Sequence, residues 1–348
     1  MRAATDRYEL ASDNTTAICP EAWAELESAN HDEAASYGDD QWTQRLCNLV
    51  REIFETDCDV YLVFNGTAAN SLALAQLCHP FHRIICHEHA HIETDECGAP
   101  EFFSGGAKLL PTAGANGKLE VAQIAAAIAR QPELHSPKPR AISVTQSTEL
   151  GTVYRIDELR AITEFAAQHD LRLHMDGARF ANAVASLGCA PKEITWQSGV
   201  DVLCFGGTKN GTAAGELVIF FKKEFSREFD YRVKQAGQLG SKMRFLAAPW
   251  IGLLRDGAWL RNARHANQAA NSLAAKLGAL AGIEIAFPCE ASAVFLRMRE
   301  PLVHELHGRG WHFYKFIEPD IYRVMCSWSV GQQDIDDFVA DVKELATL

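Results

Sequence analysis

Several things are missing from this 348-residue chain, and each absence narrows what it can do. No run of lysine or arginine interrupts a formal net charge of -12. Nucleic acid and anionic membrane surfaces are therefore not expected partners. No stretch of about 18 apolar residues suggests a membrane span. The first residues, Met1 to Tyr8, hold no apolar core of the kind a signal peptide needs. The ten cysteines form no CxxC pair. Without an export signal, the expectation is reduced, mostly buried thiols in a cytoplasmic protein. There is no internal repeat and no low-complexity segment. What remains, 47% hydrophobic and 22% charged residues, is the composition of a soluble globular enzyme. The length allows one large domain and a smaller one.

Strand and helix patterns alternate through the first two-thirds of the chain. Strands are expected over 59–64, 83–87, 140–145, 171–175, 200–205 and 216–221. Helices are expected over 67–78, 119–130, 156–169 and 181–187. This alternation predicts a mostly parallel sheet with helices on both faces. After about residue 245 the pattern changes. A long Ala- and Leu-rich helix is expected from Ala247 to roughly Ala281. Short strands follow over 283–287, 293–298, 311–316 and 321–325, with a final helix over 333–345. That order predicts a smaller α+β domain, with the boundary inside the long helix.

The chemistry concentrates where expected strands end. Leu171, Leu173 and Met175 share one strand face that runs straight into Asp176, Gly177, Ala178 and Arg179. Open α/β sheets bind ligands at that end of their strands. A buried carboxylate there needs a cationic partner, and the protonated ring nitrogen of pyridoxal phosphate (PLP) is one. The blander alternative is that Asp176 caps a helix starting near Ala178. Asn65-Gly66-Thr67-Ala68-Ala69-Asn70 lies between a strand and a helix. Gly66 allows a tight turn, Thr67 is a candidate N-cap and hydroxyl donor, and the helix terminus offers free N–H groups to a phosphate. Lys209 follows the strand Val202 to Phe205 and sits among Gly206, Gly207 and Gly211. A partly desolvated amine there is suited to Schiff-base chemistry.

A phosphate turn, then an aspartate, then a lysine is the order found in fold-type I PLP enzymes. The chain resembles the threonine aldolase family, the β-hydroxy-α-amino-acid aldolases that include phenylserine aldolase. The matching segments are Ala11-Ser12-Asp13-Asn14-Thr15-Thr16, Tyr37-Gly38-Asp39-Asp40 and Asn65 to Asn70. His91 with Glu96-Cys97-Gly98-Ala99, Gly151 to Tyr154 and His174 to Ala183 continue the set. Thr208-Lys209 and Arg323 to Trp328 close it, so the match runs in order over nearly the whole chain.

The resemblance implies a fold-type I architecture. A segment over 1–20 would contribute to the active site. A large PLP-binding domain over 21–250 would hold a mostly parallel seven-stranded sheet, and a small α+β domain would span 251–348. Lys209 would carry the cofactor, Asp176 would pair with its ring nitrogen, and Arg179 would contact its phenolate oxygen. Gly66, Thr67 and Thr208 would hold its phosphate, and His91 would stack on its ring. Ser12 and Arg323 would bind the substrate carboxylate, for which the planar fork of arginine is suited; without the family, Arg323 reads as a surface residue on a β-hairpin. Tyr37 would reach in from a neighbouring subunit, making a dimer obligatory, with tetramers of two dimers common.

The implied reaction is retro-aldol cleavage of a small L-3-hydroxy-α-amino acid such as threonine, allo-threonine or phenylserine, to glycine and an aldehyde. His91 is one candidate for the base that takes the β-hydroxyl proton. Many threonine aldolases carry a second histidine where this chain has Glu149, so Glu149 is the other candidate, directly or through water, or else structural. Lys234, Lys242 and Arg244 suit the phosphate or an interface and are not assigned singly. The rival activities within PLP chemistry are hydroxymethyltransferase, racemase and aminotransferase. His87-Glu88-His89-Ala90-His91 also matches the HExxH pattern of zinc hydrolases. That chemistry requires a helix, whereas Arg83 to Cys86 reads as a strand, so no metal is expected.

Overall fold

A computed structural model describes residues 9–129 and 134–346. Met1 to Tyr8, and Arg130 at the end of one expected helix, lie outside the described residues. The first sheet holds β1 (Asp59–Val63), β2 (His82–His87), β3 (Lys108–Thr112), β4 (Lys138–Thr145), β5 (Arg172–Gly177), β6 (Val202–Phe205) and β7 (Glu216–Phe220). Their order is β1-β7-β6-β5-β4-β2-β3. Only β7 runs against its neighbours; β2 to β6 pair in parallel. The expected mostly parallel seven-stranded sheet is present. β3, with exposed and half-buried positions in its short run, has no counterpart among the expected strands.

The helices that precede and wrap this sheet are α1 (Pro20–Ser28), α2 (Gln41–Phe54), α3 (Gly66–Leu77), α4 (His91–Thr94), α5 (Ala99–Phe103), α6 (Val121–Ala129), α7 (Ile156–Gln168), α8 (Phe180–Leu187) and α9 (Phe229–Gln235). α3 is buried on nearly every side, which is why its sequence is almost entirely apolar. The two polar residues within its buried run, Asn70 and Ser71, therefore stand out.

The long helix expected from Ala247 to Ala281 is two helices, α10 (Arg244–Arg255) and α11 (Ala258–Gly278). Gly257 between them has φ +68°, a conformation that glycine adopts without a Cβ penalty. The remaining elements are β8 (Glu284–Ile285), β9 (Ala293–Arg297), α12 (Glu300–Gly308), β10 (Tyr314–Ile317), β11 (Ile321–Met325) and α13 (Gln332–Ala346). The four strands form an antiparallel sheet in the order β10-β11-β9-β8. The strand expected from Trp311 begins at Tyr314. Trp311 instead is buried, its indole donating to Asp341 Oδ2 at 2.7 Å.

The start of the described chain is stitched to this second sheet. Leu10 N donates to His312 O, and Met325 N donates to Leu10 O. Leu10 itself belongs to the apolar cluster under the small sheet. Ser12 and Asp13 are thereby held at the edge where both sheets meet the site.

Aromatic packing fixes the strand end that carries Lys209. Phe205 contacts Phe180, Trp250 and Trp259 at ring-centroid distances of 5.1, 5.0 and 5.5 Å. Burying each such side chain is worth about 1.5–3 kcal/mol. The indole of Trp250 donates to Gly215 O at 2.8 Å, across the lysine loop. A Cβ on Gly207 would lie 2.5 Å from the Trp250 ring, and one on Gly206 would lie 2.5 Å from Ala178 O. These glycines are present because backbone and ring approach too closely for a side chain. Gly206→Ala is expected to cost about 1–3 kcal/mol through overpacking. The check is thermal unfolding; an unchanged Tm would contradict this account of the loop.

Candidate functional site

The parallel strands deliver their carboxyl ends to one edge of the large sheet. β1 leads to Asn65, β2 to His91, β4 to Glu149, β5 to Asp176 and β6 to Lys209. Because β7 is reversed, its amino end brings Glu216 to the same edge, opposite Val63. Two adjoining cavities open there. The inner one, about 210 Å³, is lined by Asn65, Gly66, Thr67, Asp176, Lys209 and Glu216, among others. The outer one, about 530 Å³, takes in Ser12, Glu149, Arg179, Tyr314, Phe316 and Arg323. Asn14, His91 and Lys209 border both.

Asp176 is 3% exposed. Its carboxylate accepts hydrogen bonds from Asn70 Nδ2 at 2.9 Å and from Ala178 N at 2.9 Å. The second is a local turn contact; the helix that follows starts at Phe180, so Asp176 is not its cap. Both donors are neutral. His174, two residues earlier on the same strand face, is neutral as well. Burial pushes its pKa down to about 4, against the pull of Asp176. Its two ring nitrogens lie 2.9 Å from Ser143 Oγ and 3.3 Å from Cys204 Sγ.

Asn65, not Thr67, caps α3: its side chain accepts from Ala68 N at 2.9 Å. Gly66 is the first helical residue, and a Cβ there would meet nothing within 4 Å. Its lack of a side chain answers no need of the turn itself; it leaves space in the inner cavity next to the helix N-terminus. Thr208 departs from expectation too. Its hydroxyl donates to Glu216 Oε1 at 2.7 Å, while Gly207 N donates to Glu216 Oε2 at 2.6 Å. The Thr208 hydroxyl hydrogen, expected to serve a phosphate, instead ties the lysine loop to a buried carboxyl. Burial raises the pKa of that carboxyl, although the hydrogen bond from Thr208 opposes the rise.

The two arginines have separate fates. Arg179 grips Asp13 through two bonds, Nε to Oδ2 at 2.7 Å and Nη2 to Oδ1 at 2.9 Å. Burial alone would raise the Asp13 carboxyl, but the guanidinium beside it holds it below the ordinary range. Arg179 was expected at a phenolate oxygen; two of its nitrogens are committed to Asp13. Arg323, read by itself as a surface residue, is only 6% exposed. Its guanidinium carbon lies 4.8 Å from the Tyr314 ring centre and 4.9 Å from that of Phe316. It also donates to the Tyr314 hydroxyl. Glu149 Oε2 stands 4.0 Å away. Burial, with the charge of Arg179, lowers Arg323 to about 10, so it stays cationic at neutral pH. Its Nε is buried with no hydrogen-bond partner.

Ser12 caps a short turn over Asp13–Thr15 and faces the outer cavity. His91 opens α4, with Nδ1 2.9 Å from Glu96 Oε1. Tyr37 is not brought to either cavity. It is 48% exposed, and its ring lies 4.6 Å from Lys234 Nζ. Arg244 donates to Asp32 O at 3.4 Å. The HExxH reading does not survive the geometry. His87 ends β2 while His91 starts α4, so they do not share a helix. The His87 ring nitrogens are engaged by Gly114 O at 3.0 Å and by His89 N at 3.0 Å. All ten cysteines are free, six of them buried.

Asp13, Asn70, Glu96 and Glu216 were given no role from sequence. The signal for Asn70 was a lone amide in an apolar helix, since a buried polar group must find partners. Glu96 and Asp13 sit inside recognised motifs but show nothing of their partners until the chain is folded.

Such an edge, with a buried carboxylate, a lysine loop and a helix N-terminus around one cavity, defines a fold-type I PLP-dependent enzyme. A family profile for beta-eliminating lyases matches residues 9–301, and the chain belongs to that family of PLP-dependent lyases. The chain is 55% identical over 335 residues to a low specificity L-threonine aldolase of a Pseudomonas species, covering 96% of this chain and 97% of that one. It is 54% identical, with the same coverage, to the enzyme of that name from Pseudomonas aeruginosa. The solved structure of Leishmania major threonine aldolase superposes with a TM-score of 0.92 at 28% identity, covering 97% of this chain and 99% of that one.

The residues present fit the cofactor. Asp176 is a buried anion supported only by neutral donors, as a ring-nitrogen partner requires. Gly66 leaves a cradle that a Cβ would fill, at the N-terminus of a twelve-residue helix. Gly66→Ala is therefore expected to leave the fold intact, because the methyl meets no protein atom. It should weaken PLP binding by about tenfold or more, as the loss of one good phosphate contact would. Tm of the apoenzyme and a PLP titration check the two halves; unchanged affinity would place the phosphate elsewhere.

Proposed function

We propose that this protein cleaves L-3-hydroxy-α-amino acids, threonine foremost, to glycine and the corresponding aldehyde. The observation that carries the reading is Arg323. It is a buried, cationic fork with an unpartnered Nε, in a cavity that shares Lys209 and His91 with the Asp176 cavity. An α-carboxylate bound there places the amino group toward Lys209 and the β-hydroxyl toward His91 and Glu149. The two Pseudomonas relatives named low specificity L-threonine aldolase support the same activity.

Lys209 would hold the cofactor covalently through Nζ, Asp176 would pair with its ring nitrogen, and Gly66 and Thr67 would offer backbone N–H groups to its phosphate. When bound, the cofactor supplies the sink for the electron pair released as the Cα–Cβ bond breaks. Ser12 and Arg323 bind the substrate carboxylate. Tyr314 and Phe316 hold the Arg323 guanidinium in its plane. Arg179, neutralised by Asp13, keeps the N-terminal turn over the site. Glu149, 4.0 Å from Arg323, balances the charge of the outer cavity and borders the hydroxyl position.

The outer cavity, at about 530 Å³, has room for an aryl side chain, so phenylserine belongs among the substrates. Tyr37 is proposed to serve the cavity of a second subunit. It is exposed, as is Phe64 beside the Asn65 turn at 57%, and both suit burial in an oligomer, a dimer of dimers. The proposed domain division is 1–20, 21–250 and 251–348; its second boundary falls within α10, whose Trp250 and Ile251 both pack in the core of the large sheet. No helix among the described residues is long and apolar enough to cross a membrane; a cytoplasmic location is proposed, in keeping with ten free cysteines, six of them buried.

Glycine release from L-threonine, L-allo-threonine and L-threo-phenylserine tests the substrate class. Lys209→Ala is expected to abolish turnover and the visible absorbance of the bound cofactor; a fully active variant would sink the assignment. Glu149→Gln should lower kcat by about tenfold with PLP retained, because Arg323 then loses the carboxylate that balances its charge beside the hydroxyl position. Unchanged kinetics would remove Glu149 from the reaction.

A further inference from the structure

Four side chains form one hydrogen-bonded line from the floor of the inner cavity to the mouth of the outer one. Asn70 Nδ2 donates to Asp176 Oδ2 at 2.9 Å and also to Glu96 Oε1 at 2.8 Å. The same Glu96 oxygen holds His91 Nδ1 at 2.9 Å. The Glu96 side chain is 0% exposed, whereas His91 is 31% exposed and borders both cavities. Glu96 Oε2 and Asn70 Oδ1 are buried without partners.

We propose that His91 and Glu96 act as a dyad that takes the substrate β-hydroxyl proton, with Glu96 and Asn70 as positioning residues that tie it to Asp176. This rests on the aldolase reading for the identity of the substrate. A buried carboxylate at Nδ1 fixes the tautomer: Nδ1 carries the hydrogen and Nε2 presents its lone pair. The hydroxyl proton moves to Nε2, and the O–H electron pair becomes the second bond of the aldehyde carbonyl. The bound cofactor would supply the sink for the Cα–Cβ pair, and a proton added at Cα would complete glycine. His91 can return the proton it took, so none is gained or lost over the cycle. The imidazolium formed is balanced by Glu96, not by the solvent.

Asn70 explains how the line can exist. Two carboxylates, Asp176 and Glu96, share a buried site; burial raises the Glu96 pKa, and the charge of Asp176 adds to the rise. The amide donates one hydrogen to each. Glu149 is the rival base, but its carboxylate already faces Arg323.

The charged groups around His91 fix the sign of the pH effect. Glu96 lies on its own segment; Asp176 on β5, Glu149 after β4 and Lys209 after β6 also act on it. His89 and Asp95 flank it, and Arg179 and Arg323 stand across the outer cavity. The hydrogen bond to Glu96 is the largest influence, raising the His91 pKa over the opposing effect of burial, and Asp176 and Glu149 add to the rise while Lys209 opposes it. The neutral base is present above that raised pKa. Removing the Glu96 charge lowers it, so the acid limb of the rate profile should move to lower pH, with a weaker base on the plateau.

The experiment uses the holoenzyme as wild type, Glu96→Gln and His91→Asn. Ring signals of selectively labelled histidine are followed by NMR against pH, with His91 assigned from its loss in His91→Asn. kcat and KM for L-threonine are measured over the same range. In Glu96→Gln the His91 midpoint and the acid limb should both move to lower pH. kcat should fall by about tenfold or more while KM and the cofactor absorbance hold, and His91→Asn should lose the limb altogether. A Glu96→Gln enzyme with an unmoved His91 midpoint or an unmoved limb overturns the dyad. The NMR titration does not depend on turnover. A wild type that fails to cleave threonine and its analogues would overturn the aldolase reading itself, whereas active enzyme with an unshifted variant overturns only the dyad.

Discussion

A carboxylate at the end of β5 has been taken out of water without being given a protein cation, and much of the site answers that fact. Asp176 receives two hydrogen bonds, both from neutral groups. The nearby His174 is kept neutral by burial. Arg179, three residues on, turns to Asp13. A lone buried anion costs several kcal/mol unless something positive meets it. The protonated ring nitrogen of PLP is such a group, and on the proposed reading the Asp176 charge would in return keep that nitrogen protonated. Binding the cofactor would thus relieve the protein, while the protein would tune the cofactor. Lys209, Gly66 and the N-terminus of α3 are placed around the same cavity.

The arginines show the complementary principle. Both are buried and both have a carboxylate nearby, but only one pair is closed. Arg179 and Asp13 make two short bonds, so that pair is a structural clasp holding the N-terminal turn against α8. Arg323 has Glu149 only at 4.0 Å and keeps Nε unpartnered. The flanking rings of Tyr314 and Phe316 fix its plane, and the Tyr314 hydroxyl accepts from Nη2 while Nε stays unpartnered. An unsatisfied buried donor is costly in an empty site and favourable once a carboxylate arrives. With Arg323 on β11 of the small sheet and Lys209 after β6 of the large one, a substrate bound as proposed would bridge the two sheets.

The alternation of strands and helices was legible in the sequence because the parallel strands are buried on both faces and read as apolar runs. Asp176, Lys209 and Arg323 were legible through a combination of motifs, none decisive alone. Other features were illegible for stated reasons. The break at Gly257 hides in an Ala-rich helical pattern, since a single glycine costs a helix only about 1 kcal/mol. The reversal of β7 leaves no mark on its residues, which are buried whichever way the strand runs. Thr208 looks like a phosphate donor until Glu216 appears beside it, and those two meet only because β7 is antiparallel. The Asp13–Arg179 clasp joins residues 166 positions apart, and spacing cannot reveal it.

Asn70 draws these strands of argument together. α3 is apolar around its buried circumference, and an amide in such a helix weakens it unless both hydrogens are used. They are used on two carboxylates that would otherwise repel each other across a dry space. Replacing the amide by an apolar side chain of similar size would leave Asp176 with one donor and Glu96 with His91 alone. The helix whose N-terminus borders the inner cavity therefore also sets, four residues later, the charge balance at Asp176 and Glu96. On the proposed reading, phosphate recognition and the electronic tuning of the ring would be carried by one rigid element, so neither could shift without the other.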